Sequence, residues 1–139
     1  MDYRKFIVGT VVGAVALFAV GYLLFEVLLS DFYAANRGAA TGVDRESGII
    51  WAQVLGALAY AALICYAMGA RGAGSVSAGV KAGAVVGFLL WFAADLTLYS
   101  LQNVSNLTIA LVDPLVEAIH GGIAGGVIGW IVSRMKPAS

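Results

Sequence analysis

Apolar residues fall into four long runs, at positions 6–29, 48–69, 79–101 and about 107–132, separated by short polar stretches. A helix needs about 20 mostly apolar residues to cross a hydrocarbon core of ~30 Å, so each run is long enough to span. The pattern predicts an all-α, integral membrane four-helix bundle, one transmembrane domain over residues 1–139. Arg4 and Lys5 precede the first run as in a secretory signal. The run exceeds the roughly 7–15 residues of a signal core, however, and reads as a spanning helix.

Within the runs, small residues recur at every fourth position. In the third the row is Ser75, Gly79, Gly83, Gly87, Trp91, Asp95, Tyr99; in the fourth it is Asp113, Glu117, Gly121, Gly125, Gly129, Ser133. Positions four apart share one helix face. If these two helices are antiparallel neighbours, glycines meet glycines in one half of the bilayer and acids gather in the other. Such seams pack helices closely in lipid, either within one chain or between two copies. The first run carries a weaker row, Gly9, Gly13 and Gly21, interrupted by Leu17. Because the glycines keep a helical period, they do not form a phosphate-cradling loop.

Composition agrees with a membrane protein: 61% hydrophobic residues, 18 glycines and only 12% charged residues, with a mean hydropathy of +0.92. The formal net charge is zero, so no nucleic-acid partner is expected. The single cysteine, Cys65, lies in an apolar run and reads as a small buried hydrophobe. Cationic residues set the orientation. Arg4 and Lys5, Arg71 and Lys81, and Arg134 and Lys136 all fall on one side of a four-span protein. Both termini are therefore expected in the cytoplasm, in a multi-pass protein of the bacterial inner (plasma) membrane. Residues 30–47 and 102–106 would then form the outer connections.

Those connections read as turns. Asp44 to Ser47 offer N-cap candidates for the second helix, and Phe32, Tyr33 and Trp51 suit an aromatic belt at the interface. Arg71, Gly72 and Gly74 make the inner turn. Asn103-Val104-Ser105 and Asn106-Leu107-Thr108 match the glycosylation triplet, but the turn would hold them against the bilayer. The start of the fourth helix has two readings. Asp113-Pro114 resembles an N-cap and first-turn proline, yet the apolar residues 107–112 favour a helix from Asn106, kinked at Pro114.

Polar residues collect in the outer half: Glu26, Gln53, Asp95, Tyr99, Asp113, Glu117 and His120 are the candidate ligand- or ion-binding residues. Glu26 is also close enough to the boundary to reach the headgroups. Ionisable residues inside a membrane mark a functional site or an internal hydrogen-bonded pair, and no Lys or Arg lies at that level. Shared protons, a bound cation, or Arg37 or Arg45 folding back from the outer loop would each balance the acids. His120 follows Glu117 by three residues, so the two can face each other and share a proton. One Glu-x-x-His is half of the pattern used in di-iron bundles. No cofactor is predicted; the alternative is a haem or pigment on His120, given room by Gly121, Gly122, Gly125 and Gly126.

At Asp95-Leu96-Thr97, then Leu107-Thr108-Ile109 and Val112-Asp113, the chain resembles a family of small bacterial four-helix membrane proteins known only as a domain of unknown function. Phe32-Tyr33 resembles the Phe-Tyr that follows the first span in that family. The resemblance covers mainly the second half of the chain, does not extend to His120 and the glycine-rich end, and implies four spanning helices with no assigned activity.

The leading expectation is a non-enzymatic protein that works by helix packing and binding. It would act as a homo-oligomer or as an accessory subunit among other membrane proteins, surrounded by lipid. A proton- or cation-coupled transporter or channel is the first alternative, and a haem- or pigment-binding subunit the second.

Overall fold

The computed structural model describes residues 1–70 and 74–136. All regular structure there is helical: α1 (Tyr3–Gly21) continuing as a π-helical stretch (Tyr22–Leu28), the short α2 (Ser30–Ala35), α3 (Ile50–Ala70), α4 (Val76–Leu101) and α5 (Leu107–Arg134). Four of these segments are long and apolar enough to cross a membrane: Tyr3–Leu28, Ile50–Gly69, Val76–Leu101 and Leu107–Arg134.

Local chemistry sets several ends. The Asp2 carboxylate accepts from Lys5 N at 2.8 Å, the Ser75 hydroxyl from Ala78 N at 3.2 Å and the Asn106 side chain from Ile109 N at 3.1 Å, each satisfying one orphan N–H of a first turn. With Asn106 as cap, α5 begins before Asp113 and runs through Pro114. α4 starts three residues earlier than the apolar run because Ser75 caps it. α3, in contrast, starts only at Ile50, so none of the expected caps among Asp44 to Ser47 adjoins it. Arg71 and Gly72 lie outside the described residues.

α5 is the axis of the bundle. Buried residues make up 56% of its apolar window, against 22%, 17% and 11% in the other three spans, although its hydropathy, 1.6, is the lowest. Large apolar side chains point outward on the surrounding helices, while α5 supplies glycine, alanine and polar groups to the interior. Its closest partner is antiparallel α4. A Cβ added at Gly79, Gly83 or Gly87 would strike the carbonyl of Gly125, Gly121 or Glu117, and one at Gly129 that of Ser75. The seam is thus backbone against backbone, and it pairs two helices of one chain. α1 packs on the other side, with Gly9 against Cys65 and Ile128, and Gly13 against Ala61 and Ile128. Beyond the seam, the side chains of Ile64, Cys65, Met68, Ile128 and Val132 are fully buried.

The two connections at the opposite end are knitted together. Gly38 N donates to Val104 O (3.1 Å), Ala40 N to Asn103 O (2.9 Å), and the Asn106 amide to Asn36 Oδ1 (3.1 Å). We call this the loop end.

Candidate functional site

The fourth-residue row of α5 carries Asp113 and Glu117 from the glycine seam toward the loop end, and His120 follows one turn below Glu117. All three are buried, and Asp95 of α4 joins them: relative exposures are 7% for Asp95, 6% for Asp113, 4% for Glu117 and 7% for His120. Of the other candidates, Glu26 and Gln53 are exposed yet line a cavity beside the cluster. Tyr99 is 43% exposed and lies outside both.

His120 is held from two directions. Its Nδ1 lies 2.9 Å from Glu117 Oε2 and its Nε2 lies 2.8 Å from the carbonyl of Leu17. A carbonyl only accepts, so Nε2 carries a proton, and the Nδ1 to Oε2 contact holds a second proton between the two side chains. Gly21 admits the ring: a Cβ there would lie 3.3 Å from Cε1 and Nε2. Leu17, which interrupts the glycine row in the sequence, is therefore the residue that receives the histidine. Phe25 and Tyr60 meet the ring edge-on at 5.7 and 6.1 Å.

Two tyrosines complete the network. Tyr33 of α2 donates its hydroxyl to Asp113 Oδ1, and its ring packs on Phe25 at 5.4 Å. It points into the bundle and does not belong to an interfacial belt. Burial, and then the bond to Asp113, push its hydroxyl well above the usual tyrosine range, so it stays a donor at neutral pH. Tyr60 reaches Glu117 Oε2 and the Glu117 carbonyl at 3.3 and 3.4 Å. Asp95 Oδ2 is buried without a partner among the described residues.

Tyr33→Phe removes the donor to Asp113 and is expected to destabilise the protein by about 1–3 kcal/mol. Tyr60→Phe, whose bonds are long, is expected to cost less than about 1 kcal/mol. Chemical unfolding in micelles measures both, and equal effects would contradict the assignment.

Neither arginine of the loop balances the acids. Arg37 pairs with Asp44 in the open, and Arg45 is exposed. The glycines expected to give a macrocycle room beside His120 face α4 instead: Gly121 and Gly125 abut its backbone, Gly122 faces Ala84 and Val80, and Gly126 faces Val80. No three His, Cys, Asp or Glu side chains among the described residues are grouped to hold a metal ion.

The cavity of about 670 Å³ lies between α1, its π-helical extension, α3 and α4, with Glu117 and His120 of α5 on its floor. Its mouth, at Glu26, Gln53, Gly56 and Leu63, opens sideways on the bundle. A π-helical segment inside an α-helix is frequent at functional sites, and here it supplies Tyr22, Phe25 and Glu26 to one wall. A second cavity, about 690 Å³, lies under the knitted connections and reaches Tyr33.

Tyr33 and Tyr60 were open to detection in the sequence only as polar tips on apolar runs. Nothing local showed that they converge on acids of α5, because those contacts bridge 80 and 57 residues of chain. Compared with known protein families, curated proteins and solved structures, the chain shows no significant match.

Proposed function

We propose that this chain is a multi-pass protein of the bacterial inner membrane, both termini cytoplasmic, that binds a small membrane-dissolved molecule at its acid and histidine site. The observation that carries this reading is the sideways cavity with Glu117 and His120 on its floor. Its volume falls within the ~300–1,000 Å³ of small-molecule sites, its walls are mostly apolar, and a few polar groups converge at one end. A mouth on the side of a spanning bundle faces lipid, so the ligand would enter from the bilayer. Arg4, Lys5, Lys81, Arg134 and Lys136 supply the orientation. The resemblance of Asp95-Leu96-Thr97 to small four-helix membrane proteins agrees with this placement.

The outward apolar side chains, among them Val11, Val15, Leu89 and Leu115, face lipid, other copies of this chain, or other membrane subunits. A complete pore within one chain is disfavoured: beyond the acids, the glycine seam and the Ile64, Met68, Ile128 and Val132 core leave no polar path onward.

Gentle native mass spectrometry of the detergent-purified protein tests the reading. The parent should retain a small-molecule mass, and Gly56→Trp, which fills the mouth where a Cβ meets nothing within 4 Å, should lose it. Retention of the same mass by both would remove the cavity as the site. The same spectra give the oligomeric state.

A further inference from the structure

Resting on that reading, we infer that the ligand is a neutral amphiphile with a hydroxyl on an aromatic body, a phenol-type head that both donates and accepts a hydrogen bond. The proton count of the floor sets the charge. His120 Nε2 donates to the Leu17 carbonyl, and one further proton lies between Nδ1 and Glu117 Oε2, so the pair is neutral as a whole on whichever side that proton sits. A charged guest would therefore enter an apolar chamber without a counter-charge on its floor, which desolvation strongly disfavours. Glu26, the other carboxyl of the lining, is exposed at the mouth.

Two unpaired groups set the head. Glu117 is 4% exposed. Its Oε2 takes both His120 and Tyr60, whereas Oε1 has no hydrogen-bond partner among the described residues and is not sealed from the cavity. Oε1 calls for a donor. Trp91 lines the same cavity, and its Nε1 is buried with no partner among the described residues. An indole N–H only donates, so it calls for an acceptor. A hydroxyl answers both, having one O–H and two lone pairs. An ether, ester or ketone accepts only and leaves Oε1 unmatched, and a quaternary ammonium has no lone pair for the indole. Phe18, Tyr22, Phe25 and Tyr60 complete an aromatic wall, which suits a ring in offset or edge-on contact.

The test uses three probes that share a ring and a chain: 4-nonylphenol, its methyl ether 4-nonylanisole, and the cation 4-nonyl-N,N,N-trimethylanilinium. Each is titrated onto the full chain in lipid nanodiscs, with empty nanodiscs subtracted. The phenol should saturate at one site per chain and bind at least about tenfold more tightly than either relative. Trp91→Phe, which keeps the aromatic surface, should weaken phenol binding about two- to tenfold. The double variant Glu117→Leu, His120→Leu removes the acceptor together with its buried partner, and there the phenol should lose its advantage over the ether. An ether or cation that binds the parent as tightly as the phenol overturns the hydroxyl inference while leaving the membrane-ligand reading in place. Phenol binding unaltered in Trp91→Phe, or a preference for phenol that persists in a folded double variant, also overturns the inference. Failure of all three probes to bind, or phenol binding that survives Gly56→Trp, overturns both.

Discussion

Gly83→Ala is expected to cost about 3 kcal/mol or more, at the upper end of overpacking penalties. The added methyl would overlap the carbonyl of Gly121, and both sides of that contact are backbone. No rotamer change relieves the clash, so α4 and α5 must separate along their seam. Separation at one level loosens the contacts at Gly79 and Gly87, since these lie one turn away on the same face. Gly122→Ala on α5 is the matched control. Its Cβ would meet Ala84 and Val80 O at 3.6 Å, an ordinary contact, and alanine is the better helix former by roughly 0.5–1 kcal/mol. It should be neutral or slightly stabilising. Unfolding by a denaturing detergent, followed by circular dichroism, separates the two; a Gly83→Ala protein as stable as Gly122→Ala would refute the backbone seam.

His120→Leu carries the second large effect. It leaves the Glu117 carboxyl buried without the ring that holds it at 2.9 Å, and breaking one member of a buried pair costs about 3–5 kcal/mol. The Leu17 carbonyl loses a donor as well. Removing both partners in His120→Leu, Glu117→Leu should restore most of that loss, because no buried carboxyl is then left without its partner. A double variant no more stable than His120→Leu would mean that the pair is not an energetic unit. The two experiments probe different halves of the same helix, one held by shape and the other by protons.

The division between those halves was legible early. The antiparallel match of the two fourth-residue rows placed glycine against glycine and acids together before any coordinates, because helical period alone fixes which residues share a face. The spans were also legible to within a few residues, since length and hydropathy determine them. Helix starts followed wherever a cap adjoins the run, as at Ser75 and Asn106, and failed at α3, where Asp44 to Ser47 lie in an irregular connection.

Other features needed the tertiary structure. Hydropathy cannot single out the central helix, because the buried span is the least hydrophobic of the four. Large apolar groups face outward on this bundle and small or polar ones face in, the arrangement that helix packing in lipid favours. Nor could the sequence join Tyr33 and Tyr60 to the acids, or deliver the Leu17 carbonyl to His120, since these contacts lie 80, 57 and 103 residues apart. The sequence by itself determined the four long apolar helices, the glycine seam and the level at which the acids gather, all consequences of local period and length. Only the tertiary structure decided which helix lies at the centre, which tyrosines supply protons, and where a cavity opens beside Glu117, because each depends on how separate helices rotate and pack against one another.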